Sequence, residues 1–70
     1  MKQNLINELR EEILSRLKEV TQANSPYIHS RIQTQAGYAA LEQEIIERVI
    51  RTGLTPAAII PQMEMENDML

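Results

Sequence analysis

The segment from Leu41 to Gly53 constrains the fold more than any other part of this sequence. Its apolar side chains recur every three or four residues, the spacing that places them on one face of an α-helix. Glu44 and Arg48 form an i,i+4 pair on another face, with the acidic residue first, and such pairs stabilise exposed helices. An aliphatic face of this width needs cover, so the segment predicts a helix at the centre of a helical core.

A second amphipathic helix is predicted from about residue 4 to residue 23, with Asn4 as its N-cap. Its apolar residues share one side of the helix: they are Leu5, Ile6, Leu9, Ile13, Leu17 and Val20. The other side is rich in glutamate, whereas helices that lie on membrane surfaces favour lysine and arginine there. The stripe covers only about two heptads, which favours packing within a bundle over a free-standing coiled coil.

A short turn follows, in which Asn24 or Ser25 is predicted to cap a helix that begins at Pro26. A connection this short makes the two helices antiparallel neighbours, that is, a helical hairpin. The apolar residues stay in phase from about residue 26 to residue 52, which favours one long continuous helix. The alternative is a break near Gly37, which lies within a run of mediocre helix formers.

Polar side chains interrupt the apolar face of the long helix and suggest how two copies could pair. Arg31 and Glu42 lie at equal distances from the peptide between residues 36 and 37. Two such helices crossing antiparallel there would place Arg31 of each copy opposite Glu42 of the other. Snorkelling at the edge of a wide apolar face is the other explanation for these polar side chains. The predicted dimer or partner interface consists of Arg31, Gln35, Tyr38, Leu41, Glu42, Ile45 and Val49.

Gly53 is predicted to end the long helix, and Thr55-Pro56 marks the start of a third helical element that extends to about residue 67. Pro61 is expected to kink or split this element, because its ring clashes with the carbonyl four residues earlier. The element either folds back onto the bundle or forms an arm that binds a partner. Its predicted contacts are Ile59, Ile60, Met63 and Met65.

The composition indicates one small domain that is stabilised neither by a disulfide nor by a bound metal ion. The 70 residues contain no cysteine and a single histidine, His29, so neither a disulfide nor a metal site is expected. One core of this size rarely supplies more than about 3–5 kcal/mol, so self-association or a partner protein is the expected further source of stability. The sequence has no catalytic constellation and no glycine-rich phosphate loop, so we expect neither an enzyme nor a cofactor.

Charge and hydropathy narrow the class of partner. The net charge is −3 and the 7 basic residues are scattered, which argues against a surface that binds nucleic acid. A helix-turn-helix would use residues 42–52, a turn at 53–55 and a recognition helix from Pro56, but that helix has no lysine or arginine to contact DNA. No apolar run is long enough for a bilayer and the start lacks a signal peptide, so we expect no membrane contact and a cytoplasmic location.

The sequence therefore predicts an all-α fold, in which residues 1–54 form the hairpin and residues 55–70 a short helical arm of the same domain with a frayed acidic end. Two copies are expected to form a four-helix bundle. The expected function is a small non-enzymatic protein–protein interaction module, a regulator or adaptor that pairs with itself. Two alternatives stay open: a chaperone-like protein that covers a hydrophobic helix of another protein, and a helix-turn-helix DNA-binding regulator.

Overall fold

The computed structural model describes residues 2–22 and 25–69, and every regular element within them is an α-helix. The four helices in chain order are α1 (Lys2–Gln22), α2 (Pro26–Arg31), α3 (Gln35–Thr52) and α4 (Pro56–Asp68). The predicted all-α fold is confirmed. The longest dimension of the molecule is 36 Å, and α1 accounts for most of it because 21 residues of helix span about 31 Å.

Helix α1 begins two residues before its predicted start. It includes Asn4 within its first turn, so the prediction that Asn4 caps the helix is wrong. The residues that extend it, Lys2 and Gln3, are good helix formers, which is the physical reason for the earlier start. The predicted end at residue 23 and the alternative cap Asn24 lie outside the described residues.

Helix α2 begins as predicted, with Ser25 as N-cap and Pro26 as the first helical residue. The Ser25 hydroxyl accepts a hydrogen bond from the Ile28 backbone N–H at 3.5 Å. Proline at this position costs the helix no hydrogen bond, because its missing N–H would have had no partner inside the helix.

The prediction of one continuous helix from residue 26 to residue 52 is wrong, because the chain leaves the helix at residues 32–34. Thr34 caps α3, and its hydroxyl accepts a hydrogen bond from the Gly37 N–H at 2.9 Å. Such a cap offers the backbone a competing partner and so ends the preceding helix. The break allows the short α2 to pack separately, with Ile28 fully buried. The break ends at Thr34, three residues before Gly37, near which the alternative prediction placed it.

Gly53 ends α3 as predicted. Its φ of 76° is in the left-handed region, and its N–H donates to the Val49 carbonyl at 2.8 Å. Thr55 and Pro56 then start α4, also as predicted. The expected split at Pro61 does not occur, since α4 continues through it to Asp68. Proline removes only one backbone hydrogen bond of the helix, and the burial of α4 side chains on both sides of it offsets that loss.

The core lies where all four helices meet. Each helix contributes to it, and α4 packs against the other three. Its fully or nearly fully buried members are Ile13, Leu17, Ile28, Leu41, Ile45, Ile46, Ile59, Ile60 and Met63. These side chains are all aliphatic or methionine, as the scarcity of aromatic residues requires.

Candidate interaction surfaces

An apolar groove lies between the first half of α1 and the last turns of α3. It has a volume of about 540 Å³ and is lined by Leu5, Ile6, Leu9, Val49 and Ile50. Two of these side chains are largely open to solvent, Leu5 at 67% exposure and Ile50 at 73%. We call this feature the α1–α3 groove. Among the side chains that the structure describes, no charged or polar one contributes to its lining, so this part of the groove is suited to apolar contact.

The α1–α3 groove is the uncovered end of the same stripe that forms the core. In the second half of α1, Ile13 and Leu17 are buried against residues from the other helices. In the first half, Leu9 packs at the edge of the core, and Leu5 and Ile6 lie beyond it. The apolar stripe of α1 is therefore buried in the second half of the helix and open to solvent in the first half.

The two helices that form the groove run in opposite directions there. Residues 5–9 of α1 face residues 49–50 of α3, whereas Arg10, the next residue of α1, lies against Glu42, an earlier residue of α3. At that point Arg10 Nε lies 3.6 Å from Glu42 Oε1. The arginine of this ion pair is half-exposed, so the pair contributes little to stability.

The sequence-predicted interface residues are not brought together on one open surface. Leu41 and Ile45 are fully buried in the core of the chain itself, so a partner cannot contact them in this fold. Gln35 is exposed in the first turn of α3. The remaining four are half-buried: Arg31, Tyr38, Glu42 and Val49. Only Val49 lines the α1–α3 groove.

Arg31 binds partners within the chain and does not face Glu42. Its guanidinium forms an ion pair and hydrogen bond with Glu44, and Nη1 donates to the Tyr27 hydroxyl at 2.9 Å. The hydrogen bond to Glu44 is the main cause that raises the pKa of Arg31 above its ordinary value, while partial burial acts in the opposite direction. These contacts fasten α2 to α3 across the break at residues 32–34.

The symmetric pairing of Arg31 with Glu42 between two copies required one straight helix, and that premise is not met. At Gly37, near the midpoint of that pairing, the backbone lies close to another segment of the same chain, because a Cβ added there would lie 2.2 Å from the Arg31 carbonyl oxygen. Glu42 instead pairs with Arg10 and lies near Tyr38. Burial chiefly, and the Glu42 charge in addition, raise the pKa of the Tyr38 hydroxyl.

The contacts predicted for the C-terminal arm divide between two faces of α4. Ile59, Ile60 and Met63 are buried in the core at 0%, 1% and 3% exposure. Met65 points outward at 64% exposure. The segment thus folds back onto the bundle, and only its outer face remains open to a partner.

A smaller cavity of about 220 Å³ lies between α2, α3 and α4. Its charged residues bind one another: Arg48 pairs with Glu66, and Glu44 with Arg31. The cavity therefore offers no uncompensated charge for a ligand. Among the described residues, no three histidine, aspartate or glutamate side chains lie close enough to hold a metal ion.

The described helices also bear on the membrane and DNA alternatives. None of them combines the length and apolarity needed to cross a bilayer. The helix-turn-helix segments exist as α3, a turn at residues 53–55, and α4. Helix α4, however, buries Ile59 and Ile60 and has no basic side chain with which to contact phosphate or guanine.

Sequence reasoning missed the groove as a site although its apolar residues were visible. Leu5, Ile6 and Leu9 belong to the predicted stripe of α1, and Ile50 to the face of α3. Periodicity gives the face of a helix on which a side chain lies, but not the length of helix that its neighbours cover. That length depends on where α2 and α4 pack.

Comparison with known proteins finds no similarity: no family model matches the sequence, and no curated protein or solved structure matches the chain.

Proposed function

We propose that this protein is a small non-enzymatic protein–protein interaction module that pairs with itself through the α1–α3 groove. In this arrangement the antiparallel α1 and α3 of each copy form a hairpin, and two hairpins pack into a four-helix core. The observation that carries the proposal is the groove itself, an apolar surface that continues directly from the core of the chain.

The exposure of the groove favours a permanent cover. Burying an aliphatic side chain contributes about 1.5–3 kcal/mol, and Leu5 and Ile50 leave most of that unrealised in the single chain. A small domain gains little stability from its core alone. Covering the groove with a second copy would add the missing apolar burial without any new sequence element.

The surface area of the chain supports the same proposal. The solvent-accessible surface is 5083 Å², whereas a folded monomer of 8.1 kDa exposes about 4,500 Å². The chain therefore exposes roughly 600 Å² more surface than a typical monomer of its mass.

The groove also suits two-fold symmetry. A two-fold dimer uses the same patch on both copies, so the patch must be complementary to itself. The described lining is aliphatic and meets this requirement, because none of its described side chains carries a charge that its symmetry mate would repel. Helix-on-helix packing of such faces is the ordinary way in which helical bundles form.

One alternative partner fits the same observation. A groove between two antiparallel helices also accepts an amphipathic helix of another protein, as a chaperone-like or adaptor function requires. The two functions differ in the state of the isolated chain, since a hetero-partner groove would leave the chain monomeric.

The substitution Ile50→Lys tests the proposal. Ile50 is 73% exposed in the single chain, so a lysine there leaves the fold intact but places an unpaired charge in the dimer interface. Gln43→Lys, at an exposed α3 position outside the groove lining, is the matched control. We expect Ile50→Lys to raise the dimer dissociation constant at least about 100-fold in sedimentation equilibrium, and Gln43→Lys to leave it unchanged. Equal association of both variants would refute the groove as the interface.

A further inference from the structure

Helix α4 is apolar on two opposite faces. One face buries Ile59, Ile60 and Met63 in the core. The other consists of exposed side chains three or four residues apart, and we call it the outer stripe of α4: Ala58, Pro61, Met65 and Met69. Helices that are apolar on all sides are normally covered on all sides. No described residue covers the outer stripe, and Met65 and Met69 are 64% and 84% exposed.

The net negative charge of the chain comes from the part of the sequence that contains this stripe, where Arg48 pairs with Glu66 and Ser25 donates to Glu64. Residues 1–53 contain seven basic and seven acidic residues, so their charges balance. Residues 54–70 contain Glu64, Glu66 and Asp68 with no lysine or arginine, which accounts for the whole net charge of −3. The last turn of α4 has no basic residue, so the negative end of the helix dipole adds to the same potential. Asp68 is exposed next to Met69.

We propose that the outer stripe of α4 binds an amphipathic helix whose apolar face is bordered by lysine and arginine. Methionine side chains are flexible and polarisable, so they adapt to varied apolar partners. The exposed carboxylate of Asp68, the partly exposed carboxylate of Glu64 and the helix C-terminus supply the complementary charge for a basic border. An anionic membrane surface, in contrast, is repelled by the same charges. This site shares no residue with the α1–α3 groove, so it extends the proposed function to a second, separate partner.

Methyl NMR on the full chain tests the proposal directly, because α4 holds its own internal control. The probe is a synthetic helical peptide of leucine and lysine, about five turns long, and the matched peptide replaces lysine with glutamate. We expect the lysine peptide to shift the methyl signals of Met65 and Met69 in a saturable titration, while the signal of buried Met63 changes little. The glutamate peptide is expected to bind at least about tenfold more weakly.

A variant pair separates this site from the groove. The double substitution Met65→Gln and Met69→Gln is expected to weaken binding of the lysine peptide by about tenfold or more, which corresponds to about 1.4 kcal/mol. Ile50→Lys, which alters only the groove, is expected to bind the peptide as the wild type does. The proposal is overturned by any of three results: no binding of the lysine peptide, equal binding of both peptides, or methyl shifts produced by anionic phosphatidylglycerol vesicles and not by the peptide.

Discussion

Arg48 and Glu66 form a two-pronged ion pair that joins α3 to α4. Arg48 Nη1 donates to Glu66 Oε2 at 2.9 Å, and Nη2 donates to Oε1 at 2.7 Å. The two residues are 18 positions apart, and the pair lies at the far end of α4 from its connection to α3. It therefore holds the second half of α4 against the bundle and fixes the direction in which the outer stripe faces.

The Arg48–Glu66 pair predicts a pH dependence of stability. The hydrogen bonds from Arg48 lower the pKa of the Glu66 carboxyl below its ordinary value. A lowered folded-state pKa stabilises the fold above the pKa of the unfolded chain, about 4.3 for glutamate, and this contribution disappears as the pH falls through the folded-state value. We expect Glu66→Gln to lower the urea midpoint slightly at pH 7, and the difference from wild type to vanish on acidification below that range.

The matched control for this pair is Glu11→Gln, an exposed glutamate on α1. Its urea midpoint should follow that of the wild type at both ends of the pH range. A Glu66→Gln difference that persists unchanged at low pH would show that the effect does not depend on the charge of Glu66.

Ser25 and Thr55 each precede a proline at the start of a helix, yet only Ser25 uses its side chain. The Ser25 hydroxyl donates to Glu64 Oε2 at 2.6 Å in addition to capping α2, whereas Thr55 makes no side-chain cap bond. We expect Ser25→Ala to lower the free energy of unfolding by about 1–2 kcal/mol, and Thr55→Ala by no more than about 0.5 kcal/mol. Urea denaturation of both variants measures this, and equal losses would contradict the assignment.

Gly37 permits the close approach of α3 to the end of α2. An alanine Cβ there would lie 2.2 Å from the Arg31 carbonyl oxygen, which is backbone and cannot rotate away. We expect Gly37→Ala to destabilise the fold by about 1–3 kcal/mol, although alanine favours helices by about 1 kcal/mol over glycine. Gln43→Ala, an exposed position in the same helix, is the control and should change stability by less than about 0.5 kcal/mol. A stabilised Gly37→Ala variant would mean that α2 and α3 join into one helix.

Helix α4 is part of the core and not a detachable arm, which a pair of substitutions can test. Ile59 is fully buried, so Ile59→Ala should cost about 2–5 kcal/mol in thermal or urea unfolding. Met65→Ala on the outer stripe should leave the unfolding free energy within about 0.5 kcal/mol of wild type. An Ile59→Ala variant as stable as the wild type would show that the bundle folds without α4.

Local chemistry made several helix ends predictable. Ser25 with Pro26, Gly53, and Thr55 with Pro56 each mark a boundary through constraints of one or two residues, and the structure places helix boundaries at all three. The N-cap assigned to Asn4 fails because nothing in the preceding residues opposes a helix. A cap residue starts a helix only where the residues before it disfavour one.

The interruption between α2 and α3 depends on competition that periodicity does not reveal. The apolar phase from residue 26 to residue 52 is compatible with a straight helix, and it is equally compatible with two helices that both contact one core. The Thr34 cap on Gly37 and the burial of Ile28 favour the second arrangement. The signal for this break in the sequence was Thr34, three residues before a glycine. Whether such a residue caps a new helix depends on tertiary packing.

The candidate sites were only partly predictable for a related reason. The sequence placed Leu5 and Leu9 on the apolar stripe of α1 without showing that they stay uncovered, and it offered the C-terminal element with Met63 and Met65 as a partner-binding arm. The packing of α2 and α4 decides which side chains are buried within the chain. It made Leu41 and Ile45 core residues. The surfaces left open, and not the most apolar segment, are the candidates for binding.

The most direct test of the proposed self-association is the solution mass of the unmodified chain, measured by light scattering over a concentration series into the low micromolar range. The account predicts a mass of twice the 8.1 kDa of one chain at the higher concentrations, with dissociation only on dilution. A mass of one chain at every concentration would contradict it and would assign the α1–α3 groove to a helix of another protein.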